Sequence, residues 1–452
     1  MSKFAFAVLA VALSLVSCTG RGDRTVVASR SGITLDSDVY NGGGTDQTDA
    51  IQAILDKAED WGRLHFIMDG AALVSRPLRV HSNTTIECPD RSCGFYLADS
   101  SNCSVITNAH QSLDNLLDRN ITLIGGVYNN NFPAQVHDRA TVDFFSSWVF
   151  GMEFYGVEHL TMKGVTIADQ RTFALTMANW KFVDIEDLHV DRRRGKDNQN
   201  QDGLHFFGPG RFLTLKNIYG NSGDDFIAIA PDEVDHKSSI SDVLIDGVML
   251  DDADQGIRLL CCGEGRLDRV TVRNVTGTYK SFGFIITPWF ASVPGGGHYG
   301  DIVFENINLS SLTPNYDYSG PFLFKIGGNV ENLVLKNVHI GRCETPHRPF
   351  IIGGRYNSDN QDFEGHPTRI RNLVIDGLLL DGENYPYDVI DVRGADIELL
   401  KINDAVITAG GKSLVKVSDS TIGTLLLDDV WAPKLDRLTV APPGAISRTL
   451  NR

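Results

Sequence analysis

The sequence has no basic excess: 41 Lys and Arg stand against 57 Asp and Glu, for a net charge of −16. Binding a nucleic-acid backbone requires a basic footprint, so nucleic acid is excluded as the main partner. Long apolar runs are scarce as well. The one that opens the chain, Phe4 to Leu13, falls short of the ~20 residues that cross a bilayer as a helix. Cysteines in CxxC or CxxH spacing are missing, which removes the usual zinc patterns, so no metal and no cofactor is expected. Extended helical periodicity is rare, and this argues against a helical bundle.

The N-terminal segment reads as targeting rather than fold. Lys3 supplies the positive start, the apolar run follows, and Leu15-Val16-Ser17-Cys18 looks like a bacterial lipobox. Residues 1–18 are then a signal peptide, with Cys18 the lipidated first residue of an exported protein on the cell envelope. Its only membrane contact would be that lipid anchor. Residues 19–34 are expected to be a polar tether. Six cysteines remain beyond Cys18. They allow about 15 pairings among which sequence does not choose, although Cys88 and Cys93 are close in the chain.

A short pattern recurs: two apolar residues flanking any residue, one more residue, then Asn, Gly or Asp. It starts at Ile121, Leu160, Val183, Leu213, Val243, Val270, Ile302, Leu333, Leu373, Leu400 and Leu425. The steps are 39, 23, 30, 30, 27, 32, 31, 40, 27 and 25 residues. A period of roughly 20–50 residues marks a stacked repeat. The alternation marks a strand with one buried face, and Asn, Gly and Asp suit a tight left-handed bend. The four strands per repeat of a propeller are not seen. The reading is an all-β, single-stranded right-handed parallel β-helix over residues 35–440, with a loose tail over 441–452. The two longest steps leave room for a long loop or an extra coil. An amphipathic helix with Ala50, Ile51, Ile54, Leu55 and Ala58, N-capped by Thr48, covers the open end of the core.

Two acidic motifs carry candidate chemistry: Asn200-Gln201-Asp202-Gly203-Leu204-His205 and Gly223-Asp224-Asp225-Phe226-Ile227-Ala228-Ile229. Aligned on the strands that follow, Asp202 and Asp225 are equivalent and 23 residues apart, one coil. Adjacent coils stack about 4.8 Å apart, so Asp202, Asp224 and Asp225 cluster. Carboxylates that close raise at least one pKa, the pairing of acid and base that glycoside hydrolysis uses. Asp251-Asp252 and Asp428-Asp429 read as corner residues. Strand alignment also puts His205, Ala228 and Arg258 in one outward column. Arg258 could then reach a sugar, and His205 could hydrogen-bond the aspartates. Arg192-Arg193-Arg194-Gly195-Lys196 could steer an anionic glycan or form a solvated loop. Trp180 and Trp289 offer aromatic faces for a pyranose, or core packing.

At these residues the chain resembles family 28 glycoside hydrolases, the polygalacturonase and rhamnogalacturonase group of the pectin-lyase-like proteins. The N-x-D-G and G-D-D-x-[IV]-[AS]-I patterns are both present, and Asn41 to Leu55 together with Ser75 to Cys88 look like the family's capping region. The resemblance runs from about Leu35 to Leu309. It implies an inverting hydrolase of a carbohydrate, with Asp224 as general acid and Asp202 and Asp225 positioning and activating water. Asn200, His205, Gln255 and Arg258 would bind substrate. Two coils depart from the family. Gln255 replaces its histidine in Asp254-Gln255-Gly256-Ile257-Arg258-Leu259. Gly283-Phe284-Ile285-Ile286-Thr287-Pro288 lacks the two cations of its R-I-K. A polysaccharide lyase or uronate epimerase, and a noncatalytic glycan-binding β-helix, are the alternatives on the same scaffold.

Overall fold

The computed structural model describes residues 22–136, 148–194, 200–288, 296–314, 321–354, 368–383 and 385–452. The signal segment and Cys18 lie outside the described residues. Every strand pairing within them is parallel, from Arg24 opposite Leu64 at one end to Leu427 opposite Asn451 at the other. Only one α-helix is present among them, Thr48–Leu55.

The repeat read in the sequence is the register of the fold. Ile121, Leu160, Val183, Leu213, Val243 and Val270 stand opposite one another in successive coils. Ile302, Leu333, Leu373, Leu400 and Leu425 continue the same column without a slip. The steps of 39 and 40 residues are therefore single coils, because Ile121 pairs directly with Leu160 and Leu333 with Leu373. Their surplus falls largely in 137–147 and 355–367, outside the described residues.

The bend residue of every repeat has positive φ: Gly125, Gly164, Asp187, Asn217, Gly247, Asn274, Asn306, Asn337, Gly377, Asp404 and Asp429. An L-residue pays least for this conformation when it is Asn or Asp. The side chains then add a ladder along the helix axis. Asn306 Nδ2 donates to Asn274 Oδ1 and Asn337 Nδ2 to Asn306 Oδ1, each at 3.0 Å. Asp252 belongs to the same corner class, with φ 62°. One main apolar core, from Ala28 to Leu427, fills the interior.

Three expectations about the ends are corrected. The supposed tether contains a strand, Arg24–Val27, paired with Leu64–Ile67, and Ala28 behind it is fully buried; the first coil recruits it because a bare strand edge must be covered. The supposed loose tail contains the strand Ile446–Asn451, paired with Thr421–Trp431. Backbone pairing with the last coil holds it despite its polar sequence. Gln47, not Thr48, occupies the N-cap. Asp46 does the capping chemistry, accepting the Thr48 N–H at 2.9 Å. The helix still covers the core as expected, burying Ile51, Ile54 and Leu55. The six cysteines beyond Cys18 are free thiols, Cys88 and Cys93 included.

Candidate active site

Three consecutive strands build the site: Leu204–Phe207, Asp225–Ala230 and the end of Ile240–Leu260. Leu204 pairs with Ile227, His205 with Ala228, and Ala228 with Arg258. The outward column inferred from sequence is therefore real, and Asp225 stands opposite Gln255. Close approach of the coils depends on Gly203. A Cβ there would sit 2.3 Å from the Phe226 carbonyl oxygen, and the Gly203 N–H donates to Asp225 O at 2.9 Å.

The aspartates differ in their partners. Asp202 Oδ2 lies 2.7 Å from His205 Nδ1, and the other ring nitrogen lies 3.0 Å from Glu233 Oε2. Asp225 Oδ2 accepts from Arg258 Nη1 at 3.0 Å. Asp224 Oδ2 accepts the backbone N–H of Asn200 at 3.0 Å, and no cation pairs with it among the described residues. Asn200 is bent to φ 57° at that point. Gln255 approaches through its backbone, donating to Asp224 O at 3.3 Å.

Burial sets the electrostatics. It pushes Asp202 up to about 7, aided by the charges of Asp225 and Glu233 and opposed by His205. Burial first, then the charges of Asp202 and Asp225, hold Asp224 well above the usual carboxylate range. Burial also raises Asp225, with Arg258 pulling against it. For His205 burial disfavours the charge, but hydrogen bonds to Asp202 and Glu233 overcome it and raise the pKa to about 9. Burial would raise Glu233 too, yet the hydrogen bond and charge of His205 bring it below its ordinary value. Of the three, Asp224 is the one that burial and its neighbours' charges hold furthest above the carboxylate range, while Asp202 and Asp225 each lie beside a cationic partner.

An aromatic stack fixes the imidazole. Phe173 lies parallel to the His205 ring, 4.5 Å between centroids and 5° between planes, with Phe207 at 4.4 Å. Trp148, half-buried, packs on Phe173 and Phe150. Trp180 is core: it is 2 % exposed, and its indole N–H donates to Phe207 O at 2.9 Å. It is no sugar platform, because its ring fills the space above Gly210. Trp289 lies outside the described residues. The arginine run is neither free nor simply solvated. Arg192 donates to Gln201 Oε1 at 3.2 Å, Arg193 lies over the Tyr40 ring, and Arg194 pairs with Asp169 at 2.9 Å. Gly195 and Lys196 lie outside the described residues. Clefts of about 480 and 460 Å³ open elsewhere on the surface, and neither is lined by these aspartates.

Comparison with known proteins places this geometry on a familiar scaffold. No protein-family model matches the chain, and no curated protein sequence matches it. Solved structures do. The family 28 exopolygalacturonase of Yersinia enterocolitica is 13% identical with a TM-score of 0.54, covering 93% of this chain and 78% of its own. A double mutant of the tailspike of E. coli bacteriophage HK620, in complex with a pentasaccharide, is 13% identical with a TM-score of 0.56, covering 91% and 76%. The N-terminal fragment of bacteriophage Phi29 gene product 12 is 14% identical with a TM-score of 0.52, covering 94% and 72%. The chain has the parallel β-helix fold.

On this β-helix two residues near the column were not found by sequence reasoning. Glu233 lies beyond the strand Asp225–Ala230, in a segment with no pattern of its own, so its contact with His205 had no local signal. Lys325 sits opposite Ile285, one coil beyond the missing R-I-K, and so returns a cation to the outward column two rows from Arg258. It is 2 % exposed. Burial, with Arg393 and Arg348 nearby, brings its pKa down to about 7. An apolar strand, Phe322–Ile326, with one lysine at an outward position was the available signal.

Proposed function

We propose that this β-helix is a glycoside hydrolase acting on a polysaccharide or oligosaccharide. Asp224 is the general acid that protonates the leaving oxygen. Asp202 and Asp225 position and activate the attacking water, and attack inverts the anomeric centre. His205, clamped by Glu233 and stacked on Phe173, is a positioning residue for Asp202; Arg258 does the same for Asp225. Asn200 and Gln255 shape the substrate side of the cluster. One observation carries the reading: of three carboxyl groups brought together by consecutive coils, the one without a cationic partner among the described residues is the one held furthest toward its protonated form. A general acid requires that arrangement near neutral pH. The shared fold of the exopolygalacturonase, and the pentasaccharide in the tailspike complex, support a glycan as the ligand class.

Export and lipidation at Cys18 belong to the same proposal and would place the enzyme on the cell envelope. The test is product analysis after incubation with pectic and other glycans. New reducing ends of inverted configuration by NMR are expected. An ultraviolet-absorbing unsaturated sugar would reassign the site to a lyase, and glycan binding without turnover would leave a noncatalytic protein.

A further inference from the structure

A second cluster of chemically capable groups lies at the other end of the chain, beside the capping helix. Glu59 closes the 3-10 turn Asp56–Glu59. His81 follows the strand Leu78–Val80 and His110 follows the strand Ile106–Asn108. Those strands are neighbours in consecutive coils, Val80 opposite Asn108. The stacking thus brings together three residues that are 22 and 29 positions apart in sequence. One ligand atom from each of Glu59, His81 and His110 lies within 4.8 Å of the others.

Both imidazoles are already oriented. His81 turns Nε2 to Asp56 Oδ1 at 3.1 Å and Nδ1 toward Glu59 Oε1, also at 3.1 Å. His110 turns Nδ1 to the buried Asp118 Oδ1 at 3.1 Å and Nε2 toward the same Glu59 oxygen at 3.6 Å. Each ring therefore has a carboxylate behind it and its second nitrogen facing a common point. This back-support, carboxylate to histidine, holds metal-binding imidazoles in the required tautomer. Despite its distance, the contact from His81 Nδ1 to Glu59 lacks hydrogen-bond geometry, and this buried nitrogen makes no hydrogen bond. A nitrogen lone pair facing a carboxylate oxygen is repulsive unless a proton or a metal cation lies between them, and the contact lacks the geometry a proton would need. Tetrahedral zinc, with bonds of about 2.0–2.2 Å, sets ligand-to-ligand edges of about 3.3 Å. The observed 3.1 and 3.6 Å bracket that value. The cluster lines a cleft of about 460 Å³ that also includes Trp61, Arg119 and Glu158, which gives a fourth ligand or water room to approach.

We propose that Glu59, His81 and His110 bind a divalent transition cation of the zinc class, with Asp56 and Asp118 orienting the two histidines. Two imidazoles and one carboxylate suit Zn²⁺ or Co²⁺ rather than the hard, all-oxygen preference of Ca²⁺ or Mg²⁺. The ion ties the N-terminal cap to the first coils, independently of the aspartate site.

The test uses the whole chain after chelator treatment and desalting. Isothermal titration with Zn²⁺ is expected to saturate at one equivalent. Co²⁺ should give the intense visible absorption of a tetrahedral site, and Zn²⁺ should raise the thermal midpoint. Glu59→Gln and His110→Ala alter side chains that are 56% and 52% exposed, so the fold is retained. Each should weaken Zn²⁺ at least about tenfold, in line with the loss on disturbing a metal site, and abolish the Co²⁺ spectrum. His65→Ala, at a separate His–Glu pair, should leave binding unchanged. Non-saturating Zn²⁺ uptake by the wild type, or affinity within twofold of wild type in both ligand variants, would overturn the proposal.

Discussion

Replacing His205 by glutamine removes the charge shared by Asp202 and Glu233 while keeping a polar side chain of similar length. The two imidazole–carboxylate hydrogen bonds that this breaks are 2.7 and 3.0 Å long, between groups no more than about a tenth exposed. The imidazole pKa rises to about 9 from an ordinary 6.5. At about 1.4 kcal/mol per pH unit, this corresponds to about 3 kcal/mol of folding stability. Because the folded-state pKa is the higher one, this contribution is fully present below pH 6.5 and is lost as pH rises through 9. His205→Gln should therefore lower stability by about 3 kcal/mol at pH 6 and by far less at pH 9.5, where the wild type has lost the same contribution. Urea denaturation followed by circular dichroism at the two pH values measures the difference. A cost below 1 kcal/mol at pH 6, or an equal cost at both values, would refute the imidazolium bridge.

Other consequences are as direct. Asp224→Asn copies the neutral acid, so its thermal midpoint at pH 7 should match or exceed wild type. The raised pKa makes the ionised aspartate a destabilising group above its unfolded value of about 3.9. Arg258→Gln leaves Asp225 buried without its cation, at a cost of about 3–5 kcal/mol. The acid limb of the pH–rate profile should also move to higher pH, because Arg258 opposes the upward shift of Asp225. Asn306→Ala puts an ordinary residue at φ 57° and removes a 3.0 Å ladder bond. It should cost about 1–2 kcal/mol by chemical denaturation, and Asn306→Gly less. Cys18→Ser should abolish labelling by radioactive palmitate during expression in a bacterial host; undiminished labelling would refute the lipobox reading.

Much of the fold was legible because two independent signals agree at each coil. Apolar alternation sets the buried face, and the following Asn, Gly or Asp supplies the left-handed bend, as at Leu213 with Asn217 or Leu373 with Gly377. A one-residue slip would bury the wrong face, so the register could be read off the sequence. The aspartate cluster was legible for the same reason: its members stand at the start of, or just before, strands whose alignment is fixed. What escaped depends on segments without a period. Glu233 reaches His205 from a turn, and the polar strand Ile446–Asn451 is held mostly by backbone pairing. Glu59 lies in the turn after the capping helix and His81 and His110 follow strands of consecutive coils, so no short spacing announces them. Trp180 was ambiguous because a residue at the edge of a coil can face inward or outward, and only the packing against Phe206 and the contact with Phe207 decide it.

The central claim is that Asp224 donates a proton to a departing sugar. The most direct measurement compares turnover of a glycan substrate by the wild type and by Asp224→Asn, with substrate binding measured in parallel. A general acid contributes about 10²–10⁴-fold to rate. The account predicts a loss of that size in kcat, with unchanged affinity and a folded protein. Turnover within a few-fold of wild type in Asp224→Asn would contradict it.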